Sequence, residues 1–322
     1  MGWTASLLRG DATMPELSVS VPCNLCGSAK QMELFAAGVA QLNRIVRCSA
    51  CGLMYASPRR RTDILEIESW PDDPVFDYAV ERPQRCEKER LQVRDYESSR
   101  RLLAQLHPGR GTLVEVGSGL GFIADSFRRD GWAVLGLEPD KCAARHAAQR
   151  LGIEARATTL EAGHLPTESA DAMVILHVIE HLPDPVATLR EAYRVLRPGG
   201  HLLLETPRYD TLMFRLLGRR ERSLSCEGHI YFFTTESLAR TYRIAGFELE
   251  HLQYVGRSLT LDRLAYNVGV MLKSAPLQRW IESLSRRLGL HKIAVHVNLR
   301  DMQRVYLRKP PRALRSAPAR TA

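Results

Sequence analysis

Short apolar runs alternate with longer amphipathic stretches through the centre of the chain. The runs have the length and composition of strands, and the predicted strands are Thr112–Val116, Ala133–Leu137, Glu154–Ala157, Ala172–Leu176 and His201–Glu205. Between them, apolar residues recur at steps of three and four, which predicts helices near Gly119–Arg129, Lys141–Leu151 and Pro185–Leu196. This alternation indicates an α/β fold, in which helices cover both faces of a mostly parallel sheet.

Elements of both kinds flank this central part. Helices are predicted over Pro83–His107 and from Thr234 to Ala245, and strands near Glu248–Tyr254 and Asp301–Leu307. We therefore expect a flexible leader over residues 1–19, a cysteine-bearing module over 20–58, a linker over 59–82, an α/β domain over 83–309 and a disordered basic tail over 310–322. Within the domain, a mostly helical insertion is expected at about 256–300.

A glycine-rich turn directly follows the first predicted strand of the domain. It contains Gly117, Gly119 and Gly121, and residues without a Cβ permit positive φ and let a ligand approach the backbone. A dinucleotide site is the main alternative, but its glycine spacing would require a third glycine where Phe122 stands. Glu115, at the end of the strand, would repel a diphosphate and would suit an ammonium group. The loop therefore favours a cationic nucleoside that carries no phosphate.

An acidic residue ends the next predicted strand. Glu138 can accept hydrogen bonds from both hydroxyls of a ribose, the solution used in nucleotide-binding α/β folds. The alternative is that Glu138 complements the dipole of the helix that follows, a role that Asp140 suits better.

Four motifs in order, between Leu113 and about Phe247, resemble those of class I S-adenosylmethionine-dependent methyltransferases. They are the glycine loop, Glu138, the stretch from Thr159 to Pro185 and the stretch from Arg194 to Pro207. The resemblance is closest to the group whose fourth strand is followed by Glu-His-Leu-Pro-Asp-Pro. It implies a Rossmann-like, seven-stranded methyltransferase fold and adenosylmethionine as the cofactor.

The resemblance also implies a set of cofactor-binding residues. The glycines and Ser118 would line the cofactor, and Glu115 would lie near its amino-acid end. Glu138 would hold the ribose, and His177 would lie where the family places the reacting methyl group. Glu161 would lie near the adenine, although aspartate is commoner at that position.

Methyl transfer to an oxygen requires alignment of the acceptor with the methyl carbon and usually a base for the acceptor's proton. His181 and His229 are the candidate bases, and Glu180 is the candidate orienting carboxylate or alternative base. His229 stands in a stretch that resembles the family's substrate-side loop. The alternative is structural, with Glu180 and His181 capping the fourth strand through hydrogen bonds.

Two Cys-x-x-Cys pairs precede the domain, Cys23 with Cys26 and Cys48 with Cys51, and a glycine directly follows each. Four thiolates in this arrangement can close a tetrahedral, structural zinc site of the zinc-ribbon type. A redox dithiol is the alternative, against which the two matched pairs argue. Close cysteine pairs in a chain without a secretory signal indicate a reducing compartment, so we expect a cytoplasmic location.

The net charge and the hydropathy of the chain indicate whether nucleic acid or a membrane is an expected partner. The formal net charge of +9 invites nucleic acid as a partner, but the basic residues are spread along the chain and only Arg59–Arg61 cluster beside the module. No run approaches the ~20 apolar residues that span a bilayer, and the 256–300 stretch predicts at most peripheral membrane contact. The oligomeric state is left open.

These observations favour a methyltransferase acting on a small-molecule acceptor. Oxygen is the expected acceptor atom, in carbohydrate, surface-polysaccharide or secondary-metabolite biosynthesis. An RNA methyltransferase guided by the zinc module is the second hypothesis, and a catalytically silent binding protein of the same fold is the third.

Overall fold

The computed structural model describes residues 18–36, 44–60, 83–221, 224, 228–261, 280–281, 283–284, 287–290 and 293–311. Most of the expected leader, most of the linker and most of the basic tail lie outside these residues. Within them, no helix has the length and apolar character needed to cross a membrane.

The N-terminal part consists of short antiparallel strands. In chain order they are β1 (Ser18–Val19), β2 (Gln31–Phe35), β3 (Ile45–Cys48), β4 (Met54–Ala56) and β5 (Arg59–Arg60). Strands β2, β3 and β4 form a meander, and β1 pairs with β5 in a separate two-stranded ribbon. The end of the expected leader and the start of the expected linker are therefore paired with each other.

The domain alternates helices and strands as the sequence pattern predicts. Its elements are α1 (Pro83–Asp95), α2 (Glu97–Leu106), β6 (Thr112–Val116), α3 (Phe122–Arg129), β7 (Ala133–Leu137), α4 (Lys141–Leu151), β8 (Glu154–Arg156), β9 (Ala170–Leu176), α5 (Pro185–Val195), β10 (Leu196–Pro207), α6 (Leu212–Leu217), β11 (Tyr231–Phe232), α7 (Thr235–Ile244), β12 (Glu248–Thr260) and β13 (Ala294–Arg308).

Seven of these strands form one sheet in the order β12-β13-β10-β9-β6-β7-β8. The five strands from β10 to β8 are parallel, and β13 is antiparallel to both of its neighbours. The predicted α/β architecture is confirmed. The carboxyl ends of β6, β7, β9 and β10 meet at one edge of the sheet, where open α/β folds bind their ligands.

Local signals explain where the helices begin. The side chain of Asp140 accepts hydrogen bonds from Cys142 N and Ala143 N at the start of α4, and Asp184 with Pro185 begins α5 in the same way. These caps satisfy backbone N–H groups that have no partner within the helix.

One apolar core joins the N-terminal strands to the domain. Val46 and Tyr55 of the meander belong to the same buried cluster as Leu189 of α5 and Leu238 of α7. Since apolar burial is the main favourable contribution to folding, the two parts stabilise each other.

Two predictions need correction. The helix predicted over Pro83–His107 is broken at Tyr96, whose hydroxyl donates a hydrogen bond to Glu205 of β10 at 3.0 Å. The helical insertion predicted at about 256–300 is wrong at both of its ends, because β12 extends to Thr260 and β13 begins at Ala294, and the two strands pair with each other. The expected membrane contact of this stretch falls largely outside the described residues and stays a prediction.

Candidate active site and metal centre

The glycine loop lies at the carboxyl end of β6. Gly117, Gly119 and Gly121 all have positive φ, at 72°, 54° and 86°, a conformation that costs other L-residues free energy. Space is also limited, because a Cβ on Gly117 would lie 2.4 Å from Val178 Cγ2 and one on Gly121 would lie 2.7 Å from Ala147 Cβ. The loop therefore requires glycine for its backbone path.

Glu138 lies beside this loop at the end of β7. One carboxylate oxygen accepts a hydrogen bond from Gly119 N at 2.8 Å, and the other accepts from Asp140 N at 3.0 Å. Asp140 caps α4, which is the role that the sequence assigned to it rather than to Glu138. The structure thus brings Glu138 to the glycine loop.

Two further carboxylates face the loop. Glu115 is 2% exposed, and burial, with the nearby Glu89 carboxylate, raises its pKa well above the ordinary value of 4.5. Its Oε2 atom and the buried Ser118 hydroxyl have no hydrogen-bond partner among the described residues. Glu89, on α1, accepts a hydrogen bond from Leu120 N at 3.1 Å. A group of acids around the glycine loop suits a ligand that carries positive charge.

Glu89 was missed by the sequence analysis. The helical pattern of α1 was visible, but Glu89 stands among several charged residues of that helix. Only the packing of α1 against the glycine loop distinguishes it from them.

His177 lies directly after β9, with an unusual backbone φ of 57°. Its Nδ1 is 3.6 Å from Glu180 Oε1, and its Nε2 is 3.2 Å from Glu205 Oε1. Burial works to lower the pKa of His177, but the bonds to the two carboxylates outweigh it and raise the pKa to about 9. The imidazole is therefore protonated at neutral pH.

A buried network holds Glu205 from the other side. The cross-strand register places Arg304 of β13 opposite Glu205, and the guanidinium donates to the carboxylate. Burial works to raise the pKa of Glu205, but hydrogen bonding to His177 and the charge of Arg304 lower it to about 2. Arg304 also donates to Ser99 Oγ at 2.9 Å. Glu205 stands in the fourth motif, Arg194–Pro207, but the sequence analysis assigned it no role, and Arg304 belongs to no motif.

His181 and His229 come together at the same edge of the sheet. Their ring centroids are 4.7 Å apart and the rings meet at 76°. Glu180, fully buried, lies beside them and accepts a hydrogen bond from Thr206 Oγ1 at 2.9 Å. Burial works to raise the pKa of Glu180, but His177 and, to a lesser degree, the two other histidines lower it. Ile230 N donates to Glu180 O at 2.9 Å and so connects the two histidine loops.

Glu161 lies away from this cluster. Its side chain is exposed and accepts a hydrogen bond from Thr188 Oγ1 on α5. The structure shows no contact between Glu161 and the glycine loop within the described residues, and its place near an adenine stays a prediction.

The four cysteines converge in the N-terminal module. The Sγ atoms of Cys23 and Cys51 are 3.4 Å apart, those of Cys26 and Cys48 are 3.5 Å apart, and all four lie within 4.8 Å of one another. Tetrahedral zinc with bonds of ~2.3 Å separates its sulfur ligands by about 3.8 Å. The arrangement therefore fits a four-thiolate metal site with no open position.

Local backbone geometry shapes the two knuckles. Gly27 N donates to Cys23 O at 2.8 Å and Gly52 N donates to Cys48 O at 3.0 Å, and both glycines have positive φ. Burial works to raise the pKa of Cys48, but backbone N–H groups outweigh it and lower the pKa to about 7.

Comparison with known proteins identifies the family. The model of a family described as a methyltransferase domain matches residues 88–252, about half of the chain. The chain belongs to this family. A Mycolicibacterium smegmatis protein named "probable S-adenosylmethionine-dependent methyltransferase" is 33% identical over 178 residues, which cover 55% of this chain and 67% of that protein. The chain is an S-adenosylmethionine-dependent methyltransferase.

Other relatives match a smaller part of their own length. A Parvibaculum lavamentivorans ubiquinone biosynthesis O-methyltransferase is 36% identical over 98 residues, 29% of this chain and 39% of that enzyme. Among solved structures, a chain from the complex between the Haloferax volcanii Trm112 methyltransferase activator and a methyltransferase has a TM-score of 0.50 and 16% identity. It covers 75% of this methyltransferase and is itself covered completely. At that identity the likeness shows the fold alone.

Proposed function

We propose that this methyltransferase acts on a hydroxyl oxygen of a small-molecule acceptor. The observation that carries the proposal is the facing pair of His181 and His229, 4.7 Å apart, beside the buried Glu180. They lie at the sheet edge that also carries the glycine loop. The relatives named ubiquinone biosynthesis O-methyltransferases support a small acceptor and an oxygen atom.

The residues at the glycine loop fit adenosylmethionine. Bound there, the cofactor would supply a methyl group already activated by a positively charged sulfur. Glu115 has an unpartnered buried oxygen, and together with Glu89 it would face the cationic amino-acid end. Glu138 would accept hydrogen bonds from the ribose hydroxyls, and the glycines, which have no side chains, would let the cofactor approach the backbone of the loop.

His181 or His229 would take the proton of the acceptor hydroxyl and so make its oxygen a stronger nucleophile. The nearby Glu180 stays ionised, because its ion pair with His177 outweighs burial and lowers the pKa of the carboxyl. An ionised carboxylate beside an imidazole stabilises the imidazolium that forms. His177, itself held between Glu180 and Glu205, would position Glu180 and not exchange protons with the acceptor.

We further propose that Cys23, Cys26, Cys48 and Cys51 hold a structural zinc ion. Four sulfur atoms within 4.8 Å of one another support this role. A site of four protein ligands leaves zinc no position for water or substrate, so its contribution is to folding.

RNA as the acceptor is the less favoured alternative. Arg59, the first residue of the basic cluster Arg59–Arg61, donates to Pro183 O at 3.0 Å and stacks over Tyr231, with 5.4 Å from its Cζ to the ring centroid. A guanidinium held in this way is less available to phosphates than a solvated one.

Label transfer tests the proposal. Full-length protein with methyl-labelled adenosylmethionine is incubated with a panel of phenolic and carbohydrate hydroxyl acceptors and, separately, with cellular RNA. We expect label in a small molecule and RNA binding that is weak at physiological salt. Label in RNA, together with RNA affinity that falls steeply with salt, would overturn the proposal in favour of the alternative.

A further inference from the structure

The cysteine module, defined as residues 18–60, contacts both loops that carry the candidate bases. We propose that the module and its metal position His181 and His229, so that the metal site controls the acceptor side of the reaction and not the binding of the cofactor. The inference rests on the proposed function for the role of the two histidines. The contacts that carry it are independent of that function.

The first contact is a shared sheet. Strand β11, which begins two residues after His229, pairs antiparallel with β4 of the module, Tyr231 opposite Tyr55. Ala56 N also donates to Ile230 O at 2.9 Å. Strand β11 has two residues and is paired in the sheet order with β4 alone. A strand of this length is not stable by itself, so the position of the His229 loop depends on the module.

The second contact starts between two of the metal-site cysteines. Asn24 follows Cys23 directly, and its Nδ2 donates to Asp184 Oδ1 at 2.8 Å. Its Oδ1 accepts from Val186 N at 3.3 Å. Asp184 ends the loop that contains His181 and caps α5 by accepting from Ala187 N at 2.8 Å. The first knuckle is thus bonded to the end of the His181 loop.

The third contact joins both loops through one carbonyl. Pro183 O, two residues after His181, accepts from Arg59 Nη2 at 3.0 Å and from Tyr231 Oη at 3.2 Å. One donor belongs to the module and the other to the strand that follows His229. With the bond from Ile230 N to Glu180 O, the two loops and the module form a closed set of hydrogen bonds.

The second knuckle is also attached. Arg240 on α7 donates to Cys51 O at 3.3 Å. Both halves of the metal site therefore contact the domain on the acceptor side. The glycine loop is held by other elements, since Gly117 N donates to Leu137 O and Leu120 N to Glu89. Loss of the module's order should accordingly disturb the histidines more than the cofactor cleft.

Small displacements of this kind have large effects on turnover. Catalysis that depends on alignment loses about 100-fold in rate for a misplacement of ~1 Å. The rate of methyl transfer should therefore respond to the metal even though no metal ligand touches the acceptor.

Asn24→Ala in the full chain tests the inference, because Asn24 connects the knuckle to the His181 loop without being a metal ligand. Asn298→Ala is the matched control, since Asn298 likewise accepts from a backbone N–H (Arg300 N, 3.0 Å) but lies on the hairpin. The readouts are zinc content, calorimetric affinity for adenosylmethionine, and the imidazole Cε1–H NMR signals of His181 and His229. The signals are assigned with single His→Gln variants.

In Asn24→Ala we expect unchanged zinc content, adenosylmethionine affinity within about twofold, and shifted signals of both histidines. With an acceptor found by label transfer, kcat should fall about tenfold or more. Zinc removal by chelation should move the same signals further, and Asn298→Ala should move none. Unmoved histidine signals in both Asn24→Ala and the zinc-free protein would overturn the inference. Absence of adenosylmethionine binding in the unaltered protein would instead refute the proposed function.

Discussion

Nε2 of His177 lies 3.2 Å from Oε1 of Glu205; His177 directly follows β9, and Glu205 lies on the adjacent parallel strand β10. Their pKa values move in opposite directions, to about 9 for His177 and about 2 for Glu205. Between about pH 2 and pH 9, the protonated imidazole of His177 and the ionised carboxylate of Glu205 therefore stabilise each other.

The free energy of unfolding should depend on pH through the ionisation of these two residues. Because the pKa of His177 is raised from 6.5 to about 9, its contribution is complete below pH 6.5 and is lost as pH rises to about 9. The pKa of Glu205 is lowered from 4.5 to about 2, so its contribution is complete above pH 4.5 and is lost as pH falls to about 2. The free energy of unfolding should be largest between pH 4.5 and 6.5, as far as this pair determines it.

Glu205→Gln tests the assignment through urea unfolding at several pH values. Removing the carboxylate should lower the pKa of His177 and reduce the loss of stability between pH 6.5 and 9, a loss of at most about 3.4 kcal/mol in the unaltered protein. Glu248→Gln, at the exposed start of β12, is the control and should leave the alkaline decline as it is. An equally steep decline in Glu205→Gln would show that another group causes it.

Glu138→Gln should weaken adenosylmethionine binding by about 10- to 100-fold, because a neutral amide accepts hydrogen bonds less strongly than a carboxylate and presents donors to ribose hydroxyls. Calorimetry gives the affinity. Glu154→Gln is the control, since Glu154 is exposed on β8 and pairs with Arg156. Equal affinities for both variants would exclude Glu138 from the site.

Glu89→Gln should lower the affinity for the cofactor more than the affinity for its demethylated product. Adenosylmethionine carries a sulfonium charge that the product lacks, so losing a carboxylate should reduce its affinity about tenfold and that of the product by less. Both affinities are measured by calorimetry at one ionic strength. Glu97→Gln, exposed at the start of α2, serves as the control. Equal losses for the two ligands would mean that Glu89 supports the loop and does not respond to the charge.

His181→Gln and His229→Gln should each lower turnover by about 100-fold or more if that residue is the base, while leaving adenosylmethionine affinity nearly intact. The variant without the base should also lose the acidic limb of the pH–rate profile. His251→Gln is the control, because His251 is exposed on β12. Unchanged turnover in one variant would remove that histidine from the catalytic candidates.

Metal analysis should find one zinc ion per chain, and Cys26→Ser should lose it and lower the melting temperature. Cys142→Ser, which alters a buried thiol of α4 outside the cluster, should retain the metal. Zinc retained by Cys26→Ser at full occupancy would contradict the four-thiolate site.

Local patterns made the strands and the cysteine knuckles predictable. Strands β6 and β7 were predicted to the residue, because apolar runs bounded by turn residues determine them. The break at Tyr96 was not predicted, because the apolar pattern continues through it and the contact of its hydroxyl with Glu205 joins residues far apart in the sequence. The pairing of β11 with β4 has the same character, since two residues carry too little pattern to predict a strand.

The site was predictable to a similar extent. Recognisable motifs contain the glycine loop, Glu138, His181 and His229. The structure brings Glu138 to the glycine loop and His181 to His229. Arg304 and Glu205 meet only through the register of an antiparallel pair, and Glu89 only through the packing of a helix. Such relationships depend on tertiary structure and leave no periodic signal.

The core shared by Val46, Tyr55, Leu189 and Leu238 limits how this enzyme can be dissected. A truncated protein that begins at the first helix of the domain would expose this buried apolar surface to water and would be prone to aggregate. Replacing the N-terminal strands with those of a homologue would likewise require changes in the residues of α5 and α7 that pack against them. The N-terminal strands and the domain should therefore be expressed and studied as one folding unit.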